Sequence, residues 1–269
     1  AGTSGSYYNL SNECPLQIEM PIRVSKNFYG YYTANGIDYR QPVTVVGNVQ
    51  FAFGKSNMGL ALQGVANFHD AVTALEGTVG PGQGLNSSSG YKGIHFYGPV
   101  RVNVLKTYGN YNNDYILHSS ENDIREAAVG FSHIVMATKN ALGPNCVVKW
   151  CGSSTYIPEN DSHSYYRLDG YDQVVDRVGY PSYPYRSTKE PPPTFDIRSS
   201  KNALLTMRAT ASDLCGAQFR DAISLNYEPV VPGLVETLTN RQHTMSGTIT
   251  VSNGTLRAVA NSTFANVPS

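Results

Sequence analysis

The sequence is poor in charged residues. Asp, Glu, Lys and Arg make up 15% of its 269 residues, against about 25% in a typical soluble domain. Acidic and basic side chains number 20 each, so the formal net charge is zero. Because phosphate binding needs concentrated positive charge, and no run of basic residues occurs, we do not expect direct nucleic-acid binding through a basic arm. A surface with few charges and many hydroxyl and amide groups is typical of an extracellular or virion protein, or of a subunit covered by copies of itself.

Long hydrophobic runs are also missing. No stretch approaches 18 consecutive apolar residues, so the sequence predicts no transmembrane helix. The hydrophobic content of 41% is nevertheless enough to build a core. The chain begins with Ala1-Gly2-Thr3-Ser4, which fits a mature secreted protein and equally a processed capsid protein. We therefore expect an extracellular or virion-surface location.

Cysteine is scarce, and its spacing argues against a metal site. No Cys-x-x-Cys pair occurs, so a structural zinc site is not expected. Val147–Trp150 is predicted to be a strand, which would separate Cys146 and Cys151 by about 16 Å. A disulfide needs Cα atoms within about 7 Å, so we predict no bridge between these two. Bridges to Cys14 or Cys215, and four free thiols, both remain open.

Catalytic signatures are absent. Gly54-Lys55-Ser56 has the ending of a phosphate-binding loop, but the motif requires glycine at the position of Val49. The six histidines form none of the short metal-binding patterns. We therefore predict no catalytic residue, no metal ligand and no cofactor. A secreted hydrolase whose site is assembled from distant residues is kept as an alternative, since such sites are recognised by geometry and not by order in the chain.

Most of the chain has the alternating pattern of β-strands. Leu16 to Val24 and Val100 to Val104 alternate between apolar and polar residues, which is typical of half-buried strands. Asn253-Gly254 lies between two such runs near the C-terminus. This dipeptide is a strong signal for a β-hairpin.

Three segments have helical spacing. Ser120 to Asp123 resembles a helix N-cap, and apolar residues then follow at helical intervals until Gly143 and Pro144 stop the pattern. Shorter helices are predicted over 67–76 and 212–220. The predicted fold class is β-dominated α+β, with a β-sandwich or jelly-roll-like core, one long helix and two short helices. We expect a single domain over residues 1–269.

Two long loops are predicted, over 77–93 and 156–195. The second is rich in Tyr, Pro and Arg. Tyrosine gives large contact area at low entropic cost and is enriched, with arginine, in protein interfaces. In the alternative interpretation, these rings pack on the protein's own sheet. The candidate binding residues are Tyr165, Tyr166, Arg167, Tyr171, Tyr180, Tyr183, Tyr185 and Arg186.

These features favour a protein that acts through contacts. We expect a non-enzymatic, surface-exposed structural protein, a subunit of a virion or extracellular assembly. The expected partner is then another copy of the chain. The alternative is a secreted or surface adhesin that binds a glycan or a host protein through the Tyr/Arg-rich loop.

Overall fold

The computed structural model of the chain describes thirteen ranges of residues. They are 7–10, 16–24, 28–32, 37–45, 60–62, 66–81, 92–107, 113–130, 133–151, 164–179, 195–239, 242–258 and 263–264. These residues form strands and turns, and no helix occurs among them. Within these ranges, no helix has the length and apolar character needed to cross a bilayer.

The strands are short and numerous. In chain order they are Tyr7–Leu10 (β1), Leu16–Ile18 (β2), Ile22–Val24 (β3), Phe28–Tyr32 (β4), Ile37–Tyr39 (β5), Val43–Val45 (β6), Leu60–Leu62 (β7), Ala66–Phe68 (β8), Val72–Pro81 (β9), Lys92–Phe96 (β10), Val100–Lys106 (β11), Asn113–Leu117 (β12), Asp123–Val129 (β13), His133–Met136 (β14), Val147–Trp150 (β15), Tyr165–Arg167 (β16), Gln173–Val175 (β17), Arg177–Val178 (β18), Phe195–Met207 (β19), Asp213–Cys215 (β20), Ala217–Tyr227 (β21), Val235–Leu238 (β22), Gln242–Met245 (β23), Ile249–Val251 (β24), Thr255–Ala258 (β25) and Thr263–Phe264 (β26).

All pairings between these strands are parallel. One sheet follows the order β1-β4-β7-β9-β11-β13-β15-β18, and a second follows β2-β5-β8-β10-β12-β14-β16-β19-β21-β23-β26. A third, smaller sheet has the order β20-β22-β25. From β7 to β16, successive strands of the chain alternate between the two large sheets, and each strand pairs with one from the next circuit of the chain.

The chain thus winds as a parallel solenoid. Parallel sheets usually belong to α/β folds, in which helices form the crossovers. Here the described parts of the crossovers consist of strands and turns, and none of them contains a helix. We call one circuit a coil, and neighbouring coils are about 4.8 Å apart, the spacing of paired strands.

Long strands bend and thereby serve two faces of the solenoid. In β11, Val102 pairs with Ala74 and Val104 pairs with Thr78, so the register shifts between them. Asn103, at this bend, is exposed, whereas Val102 and Leu105 on either side are buried. The first part of β9 pairs with β6, and its last part pairs with β7. The bends therefore give the coil a third face beside those of the two large sheets.

Aromatic rings form the core of the early coils. Tyr39, Phe68 and Phe96 are fully buried on three successive strands of the second sheet. Their rings stack face to face with centroids 4.6 Å and 5.1 Å apart, which matches the spacing of the coils. Tyr115 on the next strand meets Phe96 edge-on. The equivalent positions of Tyr39, Phe68 and Phe96 thus form a continuous column of rings in the interior.

One asparagine holds a corner between coils. Asn122 is buried, and its Oδ1 accepts a hydrogen bond from the Val100 backbone at 2.7 Å. Its Nδ2 donates to the carbonyl oxygens of Ser119 and Ala141, at 2.9 and 2.7 Å. One side chain therefore satisfies backbone groups from three different places in the chain.

The predicted sandwich with three helices is wrong. Residues 67–76 lie in β8, β9 and the turn between them; 120–142 contain β13 and β14; and 212–220 contain β20 and part of β21. The apolar pattern over 120–142 led to the wrong prediction of a helix because the strand His133–Met136 is buried on both faces. A strand buried on both sides gives a continuous apolar run that periodicity alone cannot separate from a helix. The segment Ser120 to Asp123, taken for a helix N-cap, contains the Asn122 corner.

The predicted hairpin at Asn253-Gly254 is also wrong, although the turn is present. Asn253 has a φ of 62°, in the left-handed region that asparagine tolerates. The flanking strands do not pair with each other, because β24 pairs with β21 and β25 pairs with β22. The turn is a corner of the solenoid.

The prediction that Cys146 and Cys151 form no disulfide is confirmed. Val147–Trp150 is a strand, and Cys146, Cys151 and Cys215 are free, buried thiols. Burial raises the pKa of all three thiols, so they are poor nucleophiles. Cys14 lies outside the described residues.

The predicted loops are only partly loops. The first residues of 77–93 belong to β9 and its last two to β10, whereas 156–195 contains β16, β17 and β18 and ends at the first residue of β19. The remainder of both segments lies outside the described residues, apart from turns.

Candidate interaction surfaces

A row of polar side chains lines the outer side of the second sheet. Backbone register places one residue of each successive coil in the row. The neighbouring residues Ile134, Tyr166 and Ile197 point into the core, so the row lies on the opposite side of the sheet, although four of its five members are buried. Its members are Asp114, His133, Tyr165, Asp196 and Gln218. We call it the polar row.

His133 and Asp114 form a close pair in the polar row. Nδ1 of His133 lies 2.6 Å from Oδ1 of Asp114. Burial lowers the pKa of His133, and the adjacent Asp114 carboxylate only partly opposes this effect. The imidazole is therefore neutral near pH 7 and donates its Nδ1 proton to Asp114.

Tyr165 is enclosed between two planar groups. The His133 ring stacks on it with centroids 3.5 Å apart, and the guanidinium carbon of Arg198 lies 3.4 Å from its centroid. Tyr165 is 8% exposed. Both faces of this ring are filled from within the protein, so it acts as a platform for Arg198 and offers no free face to a partner.

Three arginines occupy the next outward position of the same strands. Backbone register aligns Arg167, Arg198 and Arg220 on successive coils. We call them the arginine row. Arg167 donates from Nε to Asp169 at 2.8 Å. Arg220 lies 3.1 Å from Asp196 as an ion pair, without the alignment of a good hydrogen bond.

Arg198 differs from its two neighbours. Its guanidinium stacks on Tyr165 and forms no ion pair or hydrogen bond with any residue that the structure describes. It is half-exposed. The central member of the arginine row is therefore held in place by packing, and its N–H groups have no partner among the described residues.

The predicted binding residues fall in different environments. Tyr166 is fully buried, and its hydroxyl reaches the carbonyl oxygens of Ala127 and Lys149 at 2.6 and 2.8 Å. Tyr165 and Arg167 lie in the two rows, and Tyr171 is 42% exposed in a turn. The other four candidates, Tyr180, Tyr183, Tyr185 and Arg186, lie outside the described residues. Binding by any of these residues stays a prediction.

A second cluster of rings lies at a corner of the early coils. Tyr97 stacks between His69 and His118, with centroids 5.1 Å and 4.4 Å away. Nδ1 of His95 lies 3.0 Å from Nε2 of His118. Burial lowers the pKa of both imidazoles, so near pH 7 one neutral ring donates its proton to the other. Gly93 leaves room for this pair, because a Cβ there would lie 2.8 Å from Nε2 of His95.

An apolar corner is exposed in the last coils. Val230 and Val231 are each 50% exposed in the turn after β21, and Val251 at the end of β24 is 43% exposed. The backbone of Gly233 donates to Asn253, so these two turns are stacked on each other. In the described residues, β24 and β25 each pair with a single strand. This corner therefore combines exposed apolar side chains with strand edges.

Metal-binding geometry is not found in the described ranges. No group of three or more His, Cys, Asp or Glu side chains there could hold an ion. The Asp114–His133 pair has the form of a base with its orienting carboxylate, but the ring of His133 is 5% exposed and is packed against Tyr165.

Comparisons with protein-family models, with curated proteins and with solved structures give no match. The functional argument therefore depends on the surfaces described above.

Sequence reasoning missed most of these surfaces. It found Tyr165 and Arg167 through the richness in tyrosine of one segment, but Arg198 and Arg220 lie in later coils. Only the parallel register, which aligns residues 22 to 31 positions apart in the chain, brings them into one row. Recognition of an internal sequence repeat would have allowed this register to be predicted, because equivalent positions of a repeat align in successive coils.

Proposed function

We propose that this chain is a non-enzymatic, surface-exposed structural protein that works as a subunit of an extracellular or virion assembly. The observation that supports this most directly is the apolar corner at Val230, Val231 and Val251. Exposed apolar side chains, beside strand edges that have no second partner among the described residues, favour association with another chain. The occupant we propose is a second copy of this chain.

Composition and fold support the same proposal. A low proportion of charged residues and a net charge of zero reduce the repulsion between copies. The buried column of stacked rings makes the coils stiff, so association orders few additional groups. Location at a cell or virion surface is part of the proposal.

The test is the mass of the particle in solution. Size-exclusion chromatography with light-scattering detection should give a mass that is a multiple of the 29.3 kDa chain. The double variant Val231→Asp/Val251→Asp should shift this mass towards the monomer, because association would bury two carboxylates without partners. Asn103→Asp, exposed on a different coil, is the control and should leave the mass unchanged. A monomeric wild-type chain over the accessible concentration range would rule out the proposal.

A second candidate function is adhesion to a glycan. Arg198 favours it, since a guanidinium that is stacked on an aromatic ring and has no carboxylate partner in the described part of the chain is available to an external acceptor. The two candidates use different surfaces, so they can be tested independently.

A further inference from the structure

We propose that the arginine row is a binding site for an anionic group, a carboxylate or a sulfate, carried by an acidic polysaccharide. This inference deepens the glycan-adhesion candidate and rests on it, not on self-association. It begins with Arg198, which lacks an anionic partner among the residues that the structure describes, whereas Arg167 and Arg220 each have one.

Packing orients the free donors of Arg198. A guanidinium carries five N–H groups in its own plane and binds carboxylate or sulfate oxygens through two of them at once. With the carbon of this group 3.4 Å from the Tyr165 centroid, and His133 on the opposite face of the ring, the side chain has few other positions. Little side-chain entropy is then lost on binding.

The neighbouring carboxylates are engaged elsewhere. Asp196 lies on the same strand as Arg198 but is 1% exposed and pairs with Arg220. Asp169 accepts from Arg167. Asp114 lies three coils away and is held by His133. Among the described residues, a positive charge is therefore left uncompensated at the centre of the row.

The row extends along the axis of the solenoid. Paired strands place Arg167 and Arg220 about 4.8 Å on either side of Arg198, measured between backbones. Their side chains are 36% and 34% exposed. An anion at Arg198 is within reach of the flanking donors, and a linear polymer that runs along the axis meets an arginine at each of these three coils.

The character of the surface favours a polysaccharide over a protein. Protein interfaces usually have an apolar core with a polar rim. In the described residues, the large apolar side chains with high exposure lie outside the arginine row, at Met20, Tyr97, Tyr171, Leu204, Leu214, Val230, Val231 and Val251. Nucleic acid is disfavoured by the zero net charge.

The experiment is titration calorimetry with four polymers. Heparin carries sulfate groups and polygalacturonate carries carboxylates, while neutral dextran and poly-L-glutamate are the comparison polymers. At least one acidic polysaccharide should bind the wild-type chain, more weakly as salt is raised, and it should bind more tightly than poly-L-glutamate. Dextran should not bind. The pattern between heparin and polygalacturonate identifies the anionic group.

Variants assign the binding to Arg198. Arg198→Gln should weaken it about tenfold or more, since a charged bidentate contact is lost. Arg198→Lys keeps the charge but not the planar fork, and should also weaken binding. Arg125→Gln, at an exposed arginine of β13 with its own partner Asp123, is the matched control and should leave affinity unchanged.

Several results would overturn the inference. These are no binding to either acidic polysaccharide, equal affinities of Arg198→Gln and Arg125→Gln, and tighter binding of poly-L-glutamate, which would assign the row to an acidic protein. Thermal unfolding of each variant shows whether affinity changes reflect loss of fold. The particle mass, measured separately, shows whether self-association fails or holds independently of this site.

Discussion

At the residue scale, Glu236 is a buried carboxyl group in an unfavourable environment within the described core. It is fully buried on β22, and neither of its carboxyl oxygens has a hydrogen-bond partner within the described ranges. Its backbone neighbour in register is another acid, Asp213. Burial, reinforced by Asp213, raises the pKa of Glu236 to about 8, and Arg177 opposes the change only in part. The carboxyl is therefore neutral at pH 7.

This residue makes stability depend on pH. The folded pKa lies above the ordinary carboxyl value, so the folded state binds the proton more tightly than the unfolded state. Below about pH 4.5 both states are protonated and no penalty exists. As the pH rises from there to about 8, the unfolded state ionises first and the folded state loses stability, by up to about 5 kcal/mol.

Glu236→Gln should remove this dependence. We expect the variant to match the wild-type chain near pH 4.5 and to be more stable than it at pH 8 to 9, measured by urea unfolding across this range. Glu121→Gln, at an exposed position, is the control and should leave the pH profile unchanged. A Glu236→Gln variant with the wild-type slope would show that the carboxyl is not buried and protonated in solution.

At the scale of elements, the corner at Asn122 is stabilised by side-chain hydrogen bonds that link separate segments of the chain. The Asn122 side chain joins backbone groups of three segments, so its removal leaves buried donors and acceptors without partners. Each such loss costs about 1–3 kcal/mol. Asn122→Ala should therefore lower the free energy of unfolding by about 3 kcal/mol.

The matched control is the same substitution at exposed Asn103, which should stay within about 0.5 kcal/mol of wild type. Urea midpoints at unchanged slope measure both variants. Similar midpoints for the two variants would mean that the Asn122 bonds contribute little to the corner.

The strands could be predicted from alternation, but their partners could not. A seven-residue motif occurs four times, in the segments IEMPIRV, YRQPVTV, FHDAVTA and FYGPVRV. It consists of an apolar residue, two variable residues, Pro or Ala, Ile or Val, a variable residue and an aliphatic residue. Each copy covers the end of a second-sheet strand, a corner and the start of the next strand. Insertions of different length separate the copies, which hid the repeat. Recognition of this motif would have identified a solenoid and removed the helix over 67–76.

The repeat motif would not have excluded the predicted long helix over 120–142. Its apolar residues satisfy both interpretations, and the difference lies in Asn122, whose partners Val100 and Ala141 are distant in sequence. Tyr165 and Arg167 were found because tyrosine and arginine cluster in one segment. Arg198 could not be found, because its role depends on the stacking of one coil on the next.

At the scale of the whole molecule, the parallel solenoid explains why chemically similar side chains meet. The Tyr39–Phe68–Phe96 column and the arginine row both arise from one residue per coil at a fixed register. The proposed assembly at the apolar corner and the proposed anion site both depend on this order of coils. The register is therefore the central claim.

Engineered disulfides test that register directly. Backbone pairing places Arg101 beside Thr73 on one side and beside Asp123 on the other, each about 4.8 Å away, within the range that a disulfide spans. Thr73 and Asp123 are then two coils apart, about 10 Å, beyond that range. Peptide mapping after mild oxidation of three double-cysteine variants measures this order. Bridges should form in Thr73→Cys/Arg101→Cys and in Arg101→Cys/Asp123→Cys but not in Thr73→Cys/Asp123→Cys, whereas a bridge in the third variant, or none in the first two, would contradict the parallel stacking of coils.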